Sequence, residues 1–201
     1  MYARVLATLQ RDGGVTTSSS VVADRTGFSA AQIRRDLALF GQFGTRGRGY
    51  DIASLRAQLD EILGVHVARR VALVGAGNLG SALLGYSGFR DHNFQIVAAF
   101  DVSPERVGSN APGGVPIHHL DDLPHVASAE RVEIAILAVP TEAAQTTLEA
   151  VARGGIKAVL NFAPKRLDAP PGVRLRNVDL SVELEALSFY LTHGAGDDCD
   201  P

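Results

Sequence analysis

The stretch VALVGAGNLGSALLGY, residues 71–86, restricts the fold of this chain more than any other feature. An apolar run of strand length leads into Gly75, Gly77 and Gly80, and an apolar helical pattern follows. In a G-x-G-x-x-G motif the first glycine permits a tight turn, the second lets a pyrophosphate approach the backbone, and the third lets helix and strand pack closely. The pattern predicts a strand–turn–helix unit that binds a dinucleotide through its phosphates.

Asp101 strengthens this prediction, because it lies 21 residues after Gly80 at the end of the next apolar run. An acidic residue at that position accepts hydrogen bonds from the adenosine ribose. Its carboxylate would also repel the additional phosphate of NADP, so we predict NADH and NAD+ as the ligands. A glycine-rich turn that serves packing alone is the alternative interpretation.

The rest of the chain alternates apolar runs of strand length with helical patterns, which is typical of a doubly wound α/β fold around a parallel sheet. The predicted strands are 71–74, 94–100, 115–118, 134–139, 158–162 and 173–178, and the predicted helices are 80–86, 120–126, 141–153 and 179–193. Loops after parallel strands meet at one edge of the sheet, where such folds bind ligands. The predicted cofactor-binding residues are Gly75, Ala76, Gly77, Asn78, Leu79, Gly80, Asp101, Val139, Pro140, Asn161, Phe162, Ala163 and Pro164.

The first 66 residues have a different pattern of short helices and a basic charge. Residues 1–70 contain ten Arg against six acidic residues, whereas the remainder is acidic. A helix is predicted over 2–10, a second from Ser18 or Ser19 to Arg25, a third from Ser29, a glycine-rich β-ribbon over 41–52 and a helix over 52–63 capped by Asp51. Such a basic region suits a polyanion, and a solvated basic surface without a partner is the alternative.

The third helix has the features of a DNA recognition helix. At 100° per residue, Ile33, Leu37 and Phe40 would share a buried face, and the opposite face would carry Ala31, Arg35, Ala38 and Gln42. Small alanines let a helix approach the groove floor, and Arg and Gln pair with guanine and adenine edges. A winged helix-turn-helix is therefore predicted, with a generic helical cap as the alternative.

The predicted DNA-binding residues divide into two groups. Gln32 and Arg35 are expected to approach bases, whereas the second group contacts the DNA backbone from the helix or from a wing that follows it. The full set is Ser29, Gln32, Arg34, Arg35, Arg46 and Arg48.

Other side chains with reactive groups form no recognisable catalytic motif, so no catalytic residue is predicted. A metal site formed by His118, His119, Asp121, Asp122 and His125 is an alternative to a strand end followed by a capped helix, which we favour. The chain has one cysteine, Cys199, and no apolar run of the roughly 20 residues that cross a bilayer. We therefore predict a cytoplasmic protein without a membrane segment or an internal disulfide.

Six segments along nearly the whole chain carry a family resemblance. They are IRRDLALFGQFGTRGRGYDI, VALVGAGNLGSAL, AFDVSPERVG, AVPTEAAQ, LNFAP and NVDLSVELEALSF. In this order they resemble the Rex family of redox-sensing transcriptional repressors. The resemblance implies a homodimer that binds an inverted-repeat operator through N-terminal winged-helix domains, and NAD(H) through C-terminal Rossmann domains. It also implies a last helix, from about Asp179, that swaps onto the partner subunit, and a first helix longer than one starting at Tyr2.

Four regions are thus expected: a winged-helix DNA-binding domain (1–66), a Rossmann NAD(H)-binding domain (67–178), a domain-swapped helix (179–194) and a flexible acidic tail (195–201). The expected function is a repressor that leaves its operator when NADH occupies the Rossmann domain. The alternatives are a small NAD-dependent oxidoreductase with an N-terminal dimerisation domain, and a CoA- or nucleotide-binding module.

Overall fold

The computed structural model describes residues 1–41, 43 and 49–194. The chain divides into two compact units, one from Met1 to Ala68 and one that begins at Arg69, two residues beyond the predicted boundary. The predicted acidic tail, 195–201, lies outside the described residues. Within the described part of the chain, no helix combines the length and the apolar character that crossing a bilayer requires.

The first unit contains four helices and a two-stranded ribbon among the described residues. They are α1 (Tyr2–Arg11), β1 (Thr16–Thr17), α2 (Ser19–Thr26), α3 (Ala30–Ala38), β2 (Tyr50–Asp51) and α4 (Ile52–Ile62). The predicted caps are confirmed, since the side chains of Ser18, Ser29 and Asp51 accept backbone N–H groups at the starts of α2, α3 and α4. Each cap stabilises its helix by about 1 kcal/mol.

The core of the first unit lies where the four helices meet. It consists of Leu6, Leu9, Val22, Ile33, Leu37, Ile52, Leu55 and Leu59. The prediction that Phe40 joins this core is wrong: α3 ends at Ala38, so Phe40 falls outside the helical repeat and is 55% exposed. The ribbon was predicted only in part, because β2 pairs antiparallel with β1, which precedes α2. Two-residue strands have no periodicity that a sequence pattern could reveal.

The second unit is a seven-stranded sheet. Its strands are β3 (Arg69–Val74), β4 (Phe94–Asp101), β5 (Asn110–Ala111), β6 (Val115–His119), β7 (Ile134–Leu137), β8 (Ala158–Asn161) and β9 (Arg174–Asn177). Their order is β5-β6-β4-β3-β7-β8-β9, and all neighbours are parallel except β5, which is antiparallel to β6. This is the predicted doubly wound sheet. The chain winds outward from β3 to β6, then continues at β7 on the other side of β3, so the winding reverses between β3 and β7.

Helices cover both faces of this sheet, which explains why its central strands are apolar throughout. These helices are α5 (Asn78–Leu84), α6 (Gly88–Asp91), α7 (Leu123–Ala129) and α8 (Ala144–Arg153), and a further helix, α9 (Leu180–His193), follows β9. Alternate residues of β3 enter two separate cores: Ala72 and Val74 pack with α7 and α8, and Val71 and Leu73 pack with α5. The short elements α6 and β5 were not predicted.

Candidate functional site

The glycine loop between β3 and α5 lies at the point where the winding of the sheet reverses. The Gly75 N–H donates to the Phe100 carbonyl (2.8 Å), and the Ala138 N–H donates to the Val74 carbonyl (2.8 Å). Gly75 has a φ of +97°, and a Cβ there would lie 2.4 Å from the Ala138 oxygen. At Gly80 a Cβ would lie 1.8 Å from the Gly75 oxygen. Both positions therefore exclude any side chain.

Gly77 differs from these two glycines in having open space beside it. No atom lies within 4 Å of the place where its Cβ would be, and it begins α5 without a side-chain cap. Asn78 and Leu79 are exposed next to it, whereas Ala76 and Gly80 are buried. The loop is thus open beside its second glycine, the position at which a pyrophosphate approaches the backbone in this motif.

Asp101, at the end of β4, holds the glycine loop from the side. Its Oδ2 accepts the Ala76 N–H (2.7 Å) and its Oδ1 accepts the Ser103 N–H (2.8 Å). Arg106 lies 3.4 Å from the same Oδ2. The carboxylate is only 8% exposed; Oδ2 accepts from both Ala76 and Arg106, whereas Oδ1 has one partner and retains a further lone pair. Asp101 can therefore fix the loop and still accept a ribose hydroxyl.

The loops after β7 and β8 lie beside each other, because the Phe162 N–H donates to the Leu137 carbonyl (2.9 Å). Val139 and Phe162 are half-buried, Pro140 and Pro164 are exposed, and Ala163 is buried. The predicted cofactor-binding residues thus come together at the carboxyl edge of β3, β4, β7 and β8, as the strand order requires.

Asn161 is completely buried and acts inside this edge. Its Nδ2 donates to the Ala163 carbonyl and to Asn177 Oδ1 (both 3.0 Å), and its Oδ1 accepts the Ala163 N–H (3.0 Å). Asn161 therefore shapes the loop after β8 and would affect a ligand through the position of Phe162. The sequence pattern did not distinguish these roles, nor did it reveal the contribution of Ser103 or Asn177.

The predicted recognition helix, α3, exposes Ala31, Arg35 and Ala38 opposite the buried Ile33 and Leu37, as expected from the helical repeat. Two of its other predicted DNA-binding residues have partners within the first unit. The Ser29 side chain accepts the Gln32 N–H (3.1 Å), and Arg34 donates to the Ser19 hydroxyl (2.9 Å), which links α3 to α2. Gln42, Arg46 and Arg48 lie outside the described residues.

A hydrogen-bonded network lies beside the exposed face of α3. Asp36 Oδ2 accepts the Tyr2 hydroxyl (2.6 Å), and Asp36 Oδ1 accepts an N–H of the Gln32 amide (2.6 Å). Arg35 Nη1 lies 3.5 Å from Gln32 Oε1. Burial, with the hydrogen bond to Asp36 and its charge, raises the pKa of Tyr2 to about 12. The predicted base-reading residues, Gln32 and Arg35, thus belong to one connected group.

The segment around His118 and His119 is a strand end followed by a capped turn. The His119 side chain accepts the Asp121 N–H (3.3 Å) and so caps the turn that leads into α7. Among the residues that the structure describes, no three His, Cys, Asp or Glu side chains are placed to hold a metal ion.

The last helix, α9, differs from every other long helix described in that it buries no residue. Asp179 caps it by accepting the Ser181 N–H (3.0 Å) and hydroxyl (2.6 Å), and these hydrogen bonds lower the pKa of Asp179. None of its fourteen residues is buried. Its large exposed apolar residues are Leu180, Val182, Leu184, Leu187, Phe189, Tyr190 and Leu191.

Two family descriptions match separate parts of the chain. "CoA binding domain" matches residues 66–165, and "Putative DNA-binding protein N-terminus" matches residues 1–38. Curated relatives match over almost the full length. "Redox-sensing transcriptional repressor Rex" of Desulfitobacterium hafniense is 46% identical and covers 94% of this chain and 90% of the relative. The protein of the same name from Natranaerobius thermophilus is 43% identical over 94% of this chain and 86% of the relative.

Solved structures agree with these relatives. RSP in complex with β-NAD+ and operator DNA has a TM-score of 0.88 and 34% identity, and the match covers 95% of this chain and 88% of RSP. RSP in complex with β-NADH has a TM-score of 0.85 and 32% identity, covering 95% of this chain and 89% of RSP. RSP is described as a Rex-family repressor.

Proposed function

This chain belongs to the Rex family of redox-sensing transcriptional repressors, and from that membership we propose how its two units work together. It binds NADH and NAD+ through the second unit, binds operator DNA through the first, and releases the operator when NADH is bound. It acts as a repressor and not as an enzyme, so the oxidoreductase alternative is not favoured. Because an operator lies on the chromosome, the compartment we propose is the cytoplasm.

The observation that supports coenzyme binding most directly is the glycine loop at the reversal of the sheet. Its two closed positions, Gly75 and Gly80, hold the backbone in place, and its open position, Gly77, leaves room for phosphates. Asp101 is proposed to accept the adenosine ribose, and the loops after β7 and β8 are proposed to line the rest of the site. These groups bind and orient the coenzyme, which undergoes no reaction here.

Sensing requires that the protein distinguish two forms of one ligand. NADH and NAD+ differ at the nicotinamide ring, which is neutral in one and cationic in the other. A ligand shifts a conformational equilibrium only by its different affinities for the two states. To move a two-state population from 1:99 to 99:1, a ligand must bind one state roughly 10⁴-fold more tightly than the other, a difference of about 5.5 kcal/mol. Two coenzyme sites in a dimer would share that requirement.

We further propose that α9 completes a homodimer. A fourteen-residue helix with no buried residue presents far more apolar surface than solvent-exposed helices usually do. Burial of one Leu or Phe side chain stabilises an assembly by about 1.5–3 kcal/mol, so covering this helix would be strongly favourable. The occupant we propose is the partner subunit of an inverted-repeat-binding dimer.

The decisive experiment measures operator occupancy against the NADH to NAD+ ratio at constant total coenzyme. Operator fragments selected from genomic DNA would be titrated with the protein in a gel-shift or anisotropy assay. We expect occupancy to fall as the NADH fraction rises. Equal occupancy under saturating NADH and saturating NAD+ would contradict the proposal. Calorimetric titration with NADH, NAD+ and CoA tests the third interpretation, since that interpretation requires tight CoA binding.

The dimer has its own test. Replacing Leu184 and Leu187 by Ser removes apolar contacts that only a partner can supply, and should raise the dimer dissociation constant by roughly 100-fold or more in analytical ultracentrifugation. Glu183→Gln and Thr192→Ala, on the same helix, are the matched controls and should leave association unchanged. A double variant that associates as tightly as the parent would exclude α9 from the interface.

A further inference from the structure

Asp36 stands out as an acidic residue on the helix proposed to read DNA. It lies one turn after Gln32 and next to Arg35, both proposed to contact bases, and it is the only acidic residue between positions 25 and 50. A carboxylate near the phosphate backbone opposes binding through charge repulsion. Such a residue weakens the general attraction to DNA, so its presence suggests a compensating role in selectivity.

Both oxygens of Asp36 have assigned partners on different helices. Tyr2, on α1, donates its hydroxyl to Oδ2, and Gln32, on α3, donates an amide N–H to Oδ1; both distances are 2.6 Å. The Tyr2 ring packs edge-on against Phe28, with ring centroids 6.2 Å apart. Because the pKa of Tyr2 is about 12, the phenol remains a donor at neutral pH. The carboxylate is thus anchored from outside the recognition helix.

This anchor decides which way the Gln32 amide faces. A free glutamine amide can rotate by half a turn and exchange its donor and acceptor ends. An ionised carboxylate accepts hydrogen bonds and donates none, so only the NH₂ end can face Asp36. The flipped amide would bring two oxygens together without a proton between them. The carbonyl oxygen Oε1 therefore points away from Asp36, on the side where Arg35 Nη1 lies 3.5 Å from it.

We propose that Tyr2 and Asp36 are positioning residues that set Gln32 to present its amide oxygen to the operator, so that it selects a base with an exocyclic amino group. This inference rests on the proposed function of α3 as the operator-reading helix. In the major groove, adenine N6 and cytosine N4 are donors, whereas guanine O6 and thymine O4 are acceptors. A fixed amide oxygen accepts from adenine or cytosine and repels the keto oxygen of guanine or thymine. The remaining N–H of Gln32 stays available for adenine N7.

The test compares base preference among variants of the full chain. Randomised inverted-repeat duplexes are selected by binding with NAD+ present, and Gln32→Ala identifies the base pair that Gln32 reads. Asp36→Asn offers both a donor and an acceptor to Gln32, so both amide orientations become available. At that base pair we expect the preference for an amino base over a keto base to fall about tenfold, as the loss of one specific base contact would cause. Affinity for unrelated DNA should not fall.

A matched control and a second variant keep the test decisive. Asp24→Asn removes the same charge from an exposed position on α2 and should leave the preference unchanged. Tyr2→Phe keeps the carboxylate but removes one anchor, and should lower the preference about fivefold, in line with one hydrogen bond. If Asp36→Asn does not fold, as judged by its thermal melt and NADH binding, Tyr2→Phe alone decides.

The outcomes separate this inference from the function on which it rests. A parent protein that selects no sequence, or ignores the NADH to NAD+ ratio, contradicts the proposed function. If the parent selects and responds, but the folded variants retain its full base preference, the positioning role of Asp36 is wrong. Weaker binding to every sequence without a change in preference would likewise assign Tyr2 and Asp36 a purely structural role.

Discussion

The glycine loop and α3, the proposed recognition helix, would bind their ligands through different parts of the chain. In the loop, backbone atoms form the site, and added side-chain atoms at Gly75 or Gly80 would overlap carbonyl oxygens. On α3, backbone atoms are already paired within the helix, and side chains form the site. We therefore expect the coenzyme site to lose affinity when the shape of its backbone changes, whereas substitutions on the proposed DNA-binding surface should change selectivity without unfolding the chain.

Gly80→Ala should have the largest effect. Its Cβ would lie 1.8 Å from the Gly75 oxygen and 3.1 Å from Leu73 Cδ2, so the loop must move away from β3. We expect a loss of stability on the order of 3 kcal/mol and an NADH affinity weaker by roughly 100-fold. Thermal melts and NADH fluorescence titration measure both.

Gly85→Ala is the matched control, because its Cβ would lie 3.7 Å from the nearest atoms, at the end of the same helix. It should bind NADH as the parent does. A Gly80→Ala protein with unchanged coenzyme affinity would contradict the claim that the backbone shape of the glycine loop determines coenzyme binding.

Asp101→Ala tests the acidic side chain that holds the glycine loop. It removes hydrogen bonds to the N–H groups of Ala76 and Ser103 and leaves Arg106 without its carboxylate. Hydrogen bonds to charged groups contribute about 1.5–3 kcal/mol each, so NAD+ affinity should fall by roughly 30-fold. The affinity for NADP+ relative to NAD+ should rise, because the repelling carboxylate is removed and Arg106 loses its partner.

Calorimetry with both coenzymes measures this change. Glu105→Ala, which removes the same charge from an exposed position in the same loop, should alter neither affinity. Retention of the full preference for NAD+ in Asp101→Ala would show that other groups set it.

Arg35→Ala should change selectivity without changing the fold. If Arg35 makes a bidentate base contact, discrimination between operator and unrelated DNA should fall by about 1–3 kcal/mol, with NADH affinity intact. Arg34→Ala is the informative contrast. If Arg34 contacts a phosphate, its loss should weaken binding to all sequences and reduce the slope of log binding constant against log salt concentration by about 0.9.

Gel shifts over a range of salt concentrations separate the two effects. Discrimination that survives in Arg35→Ala would remove this residue from the reading surface and leave Gln32 as its centre.

The smallest expected effect is a pH dependence of the first unit. The pKa of Tyr2 is about 12 in the folded chain against 10.0 without these contacts. A raised pKa means that the hydroxyl contributes its full stability below pH 10 and loses it as the pH rises through about 12. The difference in unfolding free energy between the parent and Tyr2→Phe should therefore be positive at pH 9 and shrink toward pH 12. Chemical denaturation at several pH values checks this, and a constant difference would contradict it.

Most strands of the second unit could be predicted from local sequence patterns. The central strands β3, β4, β7 and β8 are apolar on both faces, so each was predicted to within two residues at either end. The elements that were missed, β1, β5 and α6, have two to four residues and therefore no period. Asn161 lies at the predicted edge of the sheet, but its position after an apolar run does not reveal that it is buried or that Asn177, on another strand, accepts its N–H.

The coenzyme loop could be inferred from the sequence alone, since closely spaced glycines permit the backbone angles and close approaches of a tight turn. It also determined the helix starts, because a cap lies within three residues of the N–H that it accepts. Three features became visible only in the folded chain: Tyr2 donates to Asp36, Arg34 donates to Ser19, and α9 buries none of its apolar residues. These contacts depend on how whole helices pack, and packing is set by the combined burial of many residues and not by the neighbours of any one.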